Sequence, residues 1–320
     1  MRTEFTLKRF AIATACSLLF FVSHTSAQSI YSNGRFEVGG GLGPMFFLGD
    51  LGGSAGIGKG FVKDVDLPLT KLGKAIYVSY HPSELLGFRL GISHGVLEGD
   101  DKKAPDKGGA EIYRLQRNLS FKTSAFEAML TAEVYPTTLF EKYDGLQGKL
   151  RPYGVIGFGM MKYNPKAQDI DGQWVELKPL MLEGQGMAEY PDRKPYKLWQ
   201  HEIPMGIGVK YFIKENFYVG LEVLHRQLFT DYIDDVSTNY IDPVLFDNYL
   251  SATDAARARR LHYRGTFPVY QNPGSTINEQ RGDPKDNDAF FSTLIRVGWR
   301  LGNSDGNSRA RRQMRCPVFY

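Results

Sequence analysis

Runs in which apolar and polar side chains alternate residue by residue recur along this chain, and a period of two marks a strand with one apolar and one polar face. Between Ala125 and Tyr135, the residues Phe126, Ala128, Leu130, Ala132 and Val134 share one parity, while Glu127, Thr131, Glu133 and Tyr135 share the other. From Ala289 to Leu301, Phe291, Thr293, Ile295, Val297, Trp299 and Leu301 oppose Ser292, Arg296, Gly298 and Arg300. Asn216 to Phe229 sets Phe217, Val219, Leu221 and Val223 against Glu222 and Arg226. Further runs at 35–47, 74–80, 88–96, 150–162 and 201–213 bring the expected strands to eight, with glycines blurring the parity of 35–47 and 150–162. No stretch after residue 28 reaches the roughly 18 uninterrupted apolar residues of a helix that crosses a bilayer.

Composition narrows the class. Among 320 residues, 21 Phe, 18 Tyr and 3 Trp supply more apolar surface than a core-less, disordered chain carries. Two cysteines exclude a disulfide scaffold, and 35 glycines without a three-residue period exclude collagen. The net charge of +4 is a small difference between 39 basic and 35 acidic residues, so no whole-chain field draws nucleic acid.

The N-terminus reads as an export signal. Arg2, Lys8 and Arg9 precede an apolar run from Phe10 to Val22, and Thr25-Ser26-Ala27 places small residues at a cleavage site. Acylation at Cys16 would leave an apolar region of only Phe10 to Ala15, so residues 1–27 are expected to be a cleaved signal peptide. The exported chain then holds one thiol, Cys316, in an oxidising compartment. The expected organisation is signal peptide 1–27, barrel 28–302 and a basic tail 303–320.

The links between the eight runs alternate strictly between long and short. That asymmetry belongs to an all-β fold, an eight-stranded antiparallel up-and-down transmembrane β-barrel of the outer membrane with long extracellular loops and short periplasmic turns. A soluble sandwich is the competing architecture and does not require it. Phe36, Tyr80, Phe88, Tyr211, Phe217, Phe229 and Trp299 lie near strand ends, where such a barrel carries its aromatic girdles. The polar faces would line the bore with Glu37, Arg89, Glu127, Glu133, Lys210, Glu222, Arg226, Arg296 and Arg300. Eight strands enclose a space just wide enough for side chains to fill, so these nine are expected to pair as a charge network and not to form a conduit. Gly39, Gly41, Gly206 and Gly208 would make room opposite large side chains.

Several loop segments carry a family resemblance: Gly49-Asp50-Leu51-Gly52-Gly53, Arg117-Asn118-Leu119-Ser120-Phe121, Tyr163-Asn164-Pro165-Lys166-Ala167, Glu183-Gly184-Gln185-Gly186, Tyr190-Pro191-Asp192-Arg193-Lys194-Pro195-Tyr196, and Phe229 to Thr238. On these the chain, from about Phe36 to Leu301, resembles a Bacteroidota outer-membrane β-barrel family that includes the PorG-like component of the type IX secretion machinery. The resemblance implies a structural or assembly component of an outer-membrane complex, not an enzyme. Its implied partners are periplasmic or lipoprotein components of a secretion complex, besides outer-membrane lipid and lipopolysaccharide. The alternative is a surface ligand-binding or adhesin barrel acting through its extracellular loops.

The remaining motifs read as structural. Gly53 to Lys59 has phosphate-loop spacing, but Gly60 stands where Ser or Thr would hold magnesium. Asp231, Asp234 and Asp235, with Asp242 nearby, match no EF-hand spacing and are expected to be solvated or Arg-paired loop carboxylates, not calcium ligands. His201 and His225 share parity with the apolar faces of their strands, which puts them at the lipid interface and not in a catalytic cleft. Arg281-Gly282-Asp283 and the sequon Asn118-Leu119-Ser120 are given no role. Arg309, Arg311, Arg312 and Arg315 stand with Cys316 in the tail against Asp305 alone. An even strand count puts this tail in the periplasm, as a candidate partner contact. No catalytic residue, cofactor or metal site is expected.

Overall fold

The computed structural model describes residues 36–51, 70–103, 111–139, 149–214, 216–265 and 277–301, all within a compact unit spanning Arg35–Gly302. The signal segment 1–27 and the tail 303–320, with Arg309, Arg311, Arg312, Arg315 and Cys316, lie outside the described residues.

Eight long strands form the wall: β1 (Phe36–Leu48), β2 (Lys71–Tyr80), β3 (Leu86–Asp100), β4 (Ser120–Val134), β5 (Leu150–Lys162), β8 (Trp199–Lys214), β9 (Phe217–Leu228) and β10 (Ala289–Leu301). A short hairpin, β6 (Lys166–Gln168) and β7 (Trp174–Glu176), interrupts the count. Each wall strand pairs antiparallel with its neighbours in chain order. β1 pairs with β10, from Phe36↔Leu301 to Leu48↔Ala289, and the sheet closes. Paired positions followed round the wall from Phe126 run through His94, Lys74, Leu42, Ile295, Leu221, Val209 and Pro152. The circuit returns to the β4 side beyond Val134, which faces Gly154, and not at Phe126. This climb is the shear that tilts barrel strands.

The alternation is inside-out for a water-soluble protein. On the outer face Ile207 is 70% exposed, Ile76 66% and Leu90 61%, whereas Glu37, Glu127 and Glu133 are fully buried. An apolar exterior around a charged interior is stable only where the exterior meets lipid, so the chain is a transmembrane barrel and not a sandwich. Phe36 lies tilted against Tyr80 at 5.0 Å and Phe217 against Trp299 at 5.9 Å, with Phe88 and Tyr211 exposed at the same end of the wall, while Phe229 stands at the opposite end.

β3 and β4 run farther than their alternating stretches. Leu97–Asp100 pairs with Ser120–Thr123 at the extracellular end, where Lys122 also pairs with Lys166 of β6. There Leu97 and Phe121 are buried and the outward positions carry the Glu98–Lys122 ion pair, so the apolar-outward pattern ends.

The bore is filled in two layers. Toward the extracellular end lies an apolar plug that includes Met45, Leu97, Phe121, Met161, Tyr163, Leu228, Ile233 and Phe290. Above it residues 163–198, 229–265 and 277–288 form a cap with its own core of Leu177, Leu180, Leu182, Met187, Ile241, Phe246, Ala255, Ala258 and Leu261. The cap helix Ala252–His262 starts at Ser251, whose hydroxyl accepts from the Asp254 backbone N–H.

Candidate functional site

The charged layer of the bore holds one connected network and a separate pair. Strand alternation points Glu37 (β1), Arg89 (β3), Glu133 (β4), Lys210 (β8), Glu222 (β9) and Arg296 (β10) at a common centre. Lys210 Nζ lies 2.9 Å from both Glu37 Oε2 and Glu133 Oε2. Arg89 Nη1 reaches Glu222 at 2.7 Å and Glu133 at 3.0 Å, and Arg296 Nη1 reaches Glu222 at 2.7 Å and Glu133 at 3.4 Å. Arg300 holds the other oxygen of Glu37 at 2.8 Å. Arg226 and Glu127 form a second pair at 3.0 Å, with Arg226 also donating to Ser292 at 2.5 Å and Ser93 donating to Glu127. The structure thus brings all nine charged residues inside the wall, and every carboxylate among them has a cationic partner.

Three more ionisable groups join them: His81, 3.3 Å from Glu37 Oε2, and the buried Arg151 and Glu202. The parity that Glu202 shares with Lys210 would have found it, and Arg151 was hidden by the glycines of β5. His81 sits in a periplasmic turn, where alternation says nothing.

Tyrosines complete the filling. Tyr77 and Tyr218 hydroxyls meet at 3.0 Å, and Tyr153 donates to Glu222 at 2.7 Å. Their rings occupy the space left at Gly39, Gly298 and Gly208, where an added Cβ would strike Tyr77, Tyr218 and Tyr153 respectively. The void beside Arg89, Glu222 and Arg296 measures about 30 Å³, room for about one water. A bore filled this way holds the strands apart at fixed distances.

The cap carries a second buried network. Arg117 grips Asp101 through Nε and Nη2, at 2.8 and 3.0 Å, and donates to the carbonyls of Asp50 at 2.5 Å and Arg281 at 2.6 Å. Glu183 accepts from the backbone of Ser237 and Thr238, at 3.0 and 2.9 Å, and from Arg281 at 2.8 Å. Loops after β1, β3, β5 and β9 are thereby fastened to one another over the barrel mouth.

Of Asp231, Asp234 and Asp235, expected to be solvated or Arg-paired, none is solvated, while Asp235 does lie beside an arginine. Asp234 and Asp235 are fully buried and Asp231 is 9% exposed. Asp234 accepts from the backbone of Leu51 at 3.1 Å and Val236 at 3.0 Å. Asp235, in the left-handed region at φ 64°, accepts from the Tyr196 hydroxyl at 2.7 Å and lies 3.9 Å from Arg281. The loop folds back into the cap, so Asp234 binds backbone donors and Asp235 the Tyr196 hydroxyl in place of water. Burial pushes Asp231 up to about 8 and Asp50 to about 6. Burial also raises Asp235, to about 7 against the pull of Arg281, and raises Asp234 and Asp288 in the same direction. Among the described residues no group of three or more His, Cys, Asp or Glu is placed to hold a metal ion.

Other singled-out residues are placed plainly. His201 is exposed on the outer wall, 5.3 Å from the Phe158 ring, and His225 is half-buried on the same face. Arg281 is a buried structural cation, so its tripeptide is not presented to solvent. The Asn118 amide donates to the Arg264 carbonyl at 2.9 Å. Gly53 to Lys59 lies outside the described residues.

No family model and no curated protein matches the chain. Solved structures do. The attachment invasion locus protein Ail of Yersinia pestis, solved with a heparin analogue, is 9% identical at a TM-score of 0.37, over 84% of this chain and 99% of that one. Outer membrane protein OprG of Pseudomonas aeruginosa is 12% identical at 0.35, over 85% and 97%. Outer membrane protein W of Escherichia coli is 13% identical at 0.33, over 84% and 98%.

Proposed function

We propose that this barrel is a non-conducting structural component of an outer-membrane assembly, serving protein secretion as its resemblance to the PorG-like family implies. The observation that supports this reading is the filled bore: with Lys210, Arg89 and Arg296 locked onto Glu37, Glu133 and Glu222 beneath an apolar plug, the interior is spent on rigidity. Function then falls to the two ends and the outer wall, where a rigid barrel anchors partners. It is not an enzyme, and its protein contacts lie on the periplasmic side.

Two measurements test this. The reconstituted protein is expected to give no stable single-channel current, and large steady currents would overturn the filled bore. Purified through a tag from native membranes, it is expected to carry periplasmic or lipoprotein partners at fixed stoichiometry, and its deletion to stop protein export across the outer membrane. Unimpaired export in the deletion strain would overturn the secretion role. One observation favours a second reading, a surface receptor. The cap carries an open cleft of about 400 Å³ bordered by Glu176, Lys178, Gln185 and Tyr196, of a size that takes a small ligand.

A further inference from the structure

The lipid-facing wall is interrupted by a basic groove at its extracellular rim. Below this level β4 pairs with β5 up to Phe126↔Lys162, and above it β4 pairs with β6 at Lys122↔Lys166. The change of partner opens the wall. Lys162 borders the opening on one side and Lys122 and Lys166 on the other, with Trp174 of β7 beside it and its ring 5.2 Å from Lys122 Nζ. The space between measures about 370 Å³.

Its charges are only partly balanced. Lys122 shares Glu98 with Lys71, at 3.2 and 3.0 Å, and Lys166 pairs with Glu176 at 3.1 Å. Lys162 lies 5.7 Å from the Trp199 ring, with no carboxylate in ion-pair distance among the described residues. Cations thus outnumber anions around an opening that an anion can enter.

The level of the groove identifies the occupant. On the membrane side of it the wall is apolar, with Leu130 59% and Phe158 54% exposed. Trp174 and Trp199 mark the boundary, since indole rings settle at the headgroup level of a bilayer. A ligand reaching this groove travels in the leaflet, and ammonium groups at that depth attract anionic headgroups. Lysine suits phosphate, which it meets as a point charge without bidentate geometry. We propose that the groove binds the phosphorylated headgroup of a lipid of the surrounding leaflet, whose acyl chains run down the wall past Phe126 and Phe158. The proposal rests on the membrane-barrel reading and goes beyond it by giving the wall a specific lipid site.

The test uses the full chain folded in neutral detergent, with bound lipid counted by native mass spectrometry. Diphosphoryl lipid A is expected to remain bound one per barrel. The variant Lys122→Gln, Lys162→Gln, Lys166→Gln is expected to bind it at least tenfold more weakly, and Lys162→Gln alone by about threefold. The control Lys194→Gln, Lys197→Gln, Lys285→Gln, made elsewhere in the loops, is expected to bind as wild type does. Equal affinity for dephosphorylated lipid A, equal binding by the triple variant, or an equal loss in the control would overturn the site. Displacement of the lipid by millimolar inorganic phosphate would reassign the groove to free phosphate and overturn the lipid assignment. Heat-modifiable migration of the same samples reports folding separately, so failure of the barrel reading is distinguishable from failure of the lipid site.

Discussion

Glu37 and Lys210 meet inside the bore, Nζ to Oε2 at 2.9 Å, across 173 residues of chain. The same ammonium holds Glu133, so one lysine ties together β1, β4 and β8, none of which are neighbours in the wall. Hydrogen bonds between adjacent strands set local spacing, and this cross-bore contact sets the shape of the section.

Removing that lysine takes one cation from each of two buried carboxylates, leaving Glu37 with Arg300 and Glu133 with Arg89 and Arg296. Lys210→Met is expected to destabilise the folded barrel by about 1.5–3 kcal/mol, the scale of a lost hydrogen bond to a charged group. Lys210→Arg, which keeps the charge, is expected to lose less. Urea unfolding in micelles measures both, and an unchanged midpoint for Lys210→Met would contradict the network.

A side chain at Gly39 would meet both the Tyr77 hydroxyl and the backbone carbonyl of Val297. The tyrosine can be trimmed but the carbonyl cannot move without breaking the β1–β10 ladder. Gly39→Val is therefore expected to cost about 1–3 kcal/mol. Adding Tyr77→Ala is expected to recover only part of that loss, read as the temperature at which the heat-modifiable band shifts.

The cap is expected to loosen as the medium becomes alkaline. Burial raises Asp50 to about 6, Asp235 to about 7 and Asp231 to about 8, so the folded cap holds protons that the unfolded loop has released. Stability from such groups is complete below the ordinary carboxyl value and declines as pH rises through the raised values. His262 works oppositely: burial and then Arg281 lower it to about 3, so its contribution fades as pH falls below the ordinary imidazole value. Above that value only the acids act. Amide protection factors across 230–240, corrected for the intrinsic rise of exchange with pH, are expected to be lower at pH 9 than at pH 6.5, and equal protection at both would refute the buried-acid account.

Arg281→Met leaves Glu183 and Asp235 without their cation while the wall is untouched. Limited proteolysis is expected to cut within 230–240 in the variant and spare that stretch in wild type, with heat-modifiable migration preserved in both. Loss of the folded band would show that cap and wall are one cooperative unit.

The barrel was legible because lipid outside and charge inside impose opposite demands on alternate residues, and Phe126 to Val134 or Ile295 to Leu301 record that demand without interruption. The nine charged wall residues followed from the same parity. The cap was not legible. Asp231, Asp234 and Asp235 look like any acidic loop, and Asp234 and Asp235 are held by donors at Leu51, Val236 and Tyr196 that no local period announces. The basic groove was hidden for a related reason, because Lys122, Lys162 and Lys166 become neighbours only when β4 exchanges one partner for another.

The seam between the first and last strands has a kinetic consequence. Glu37 and Arg300, held together at its periplasmic end, are 263 residues apart, so the ring closes only after the whole chain has arrived. Until β10 docks, β1 and β9 each show an unsatisfied edge, and loop closure over such a span is slow. A chain ending before residue 289 would keep both edges open permanently, a substrate for proteases and aggregation in place of a membrane protein. Assembly is thus timed by the arrival of the C-terminal strand, and an insertion factor that shields open edges until then would govern the yield.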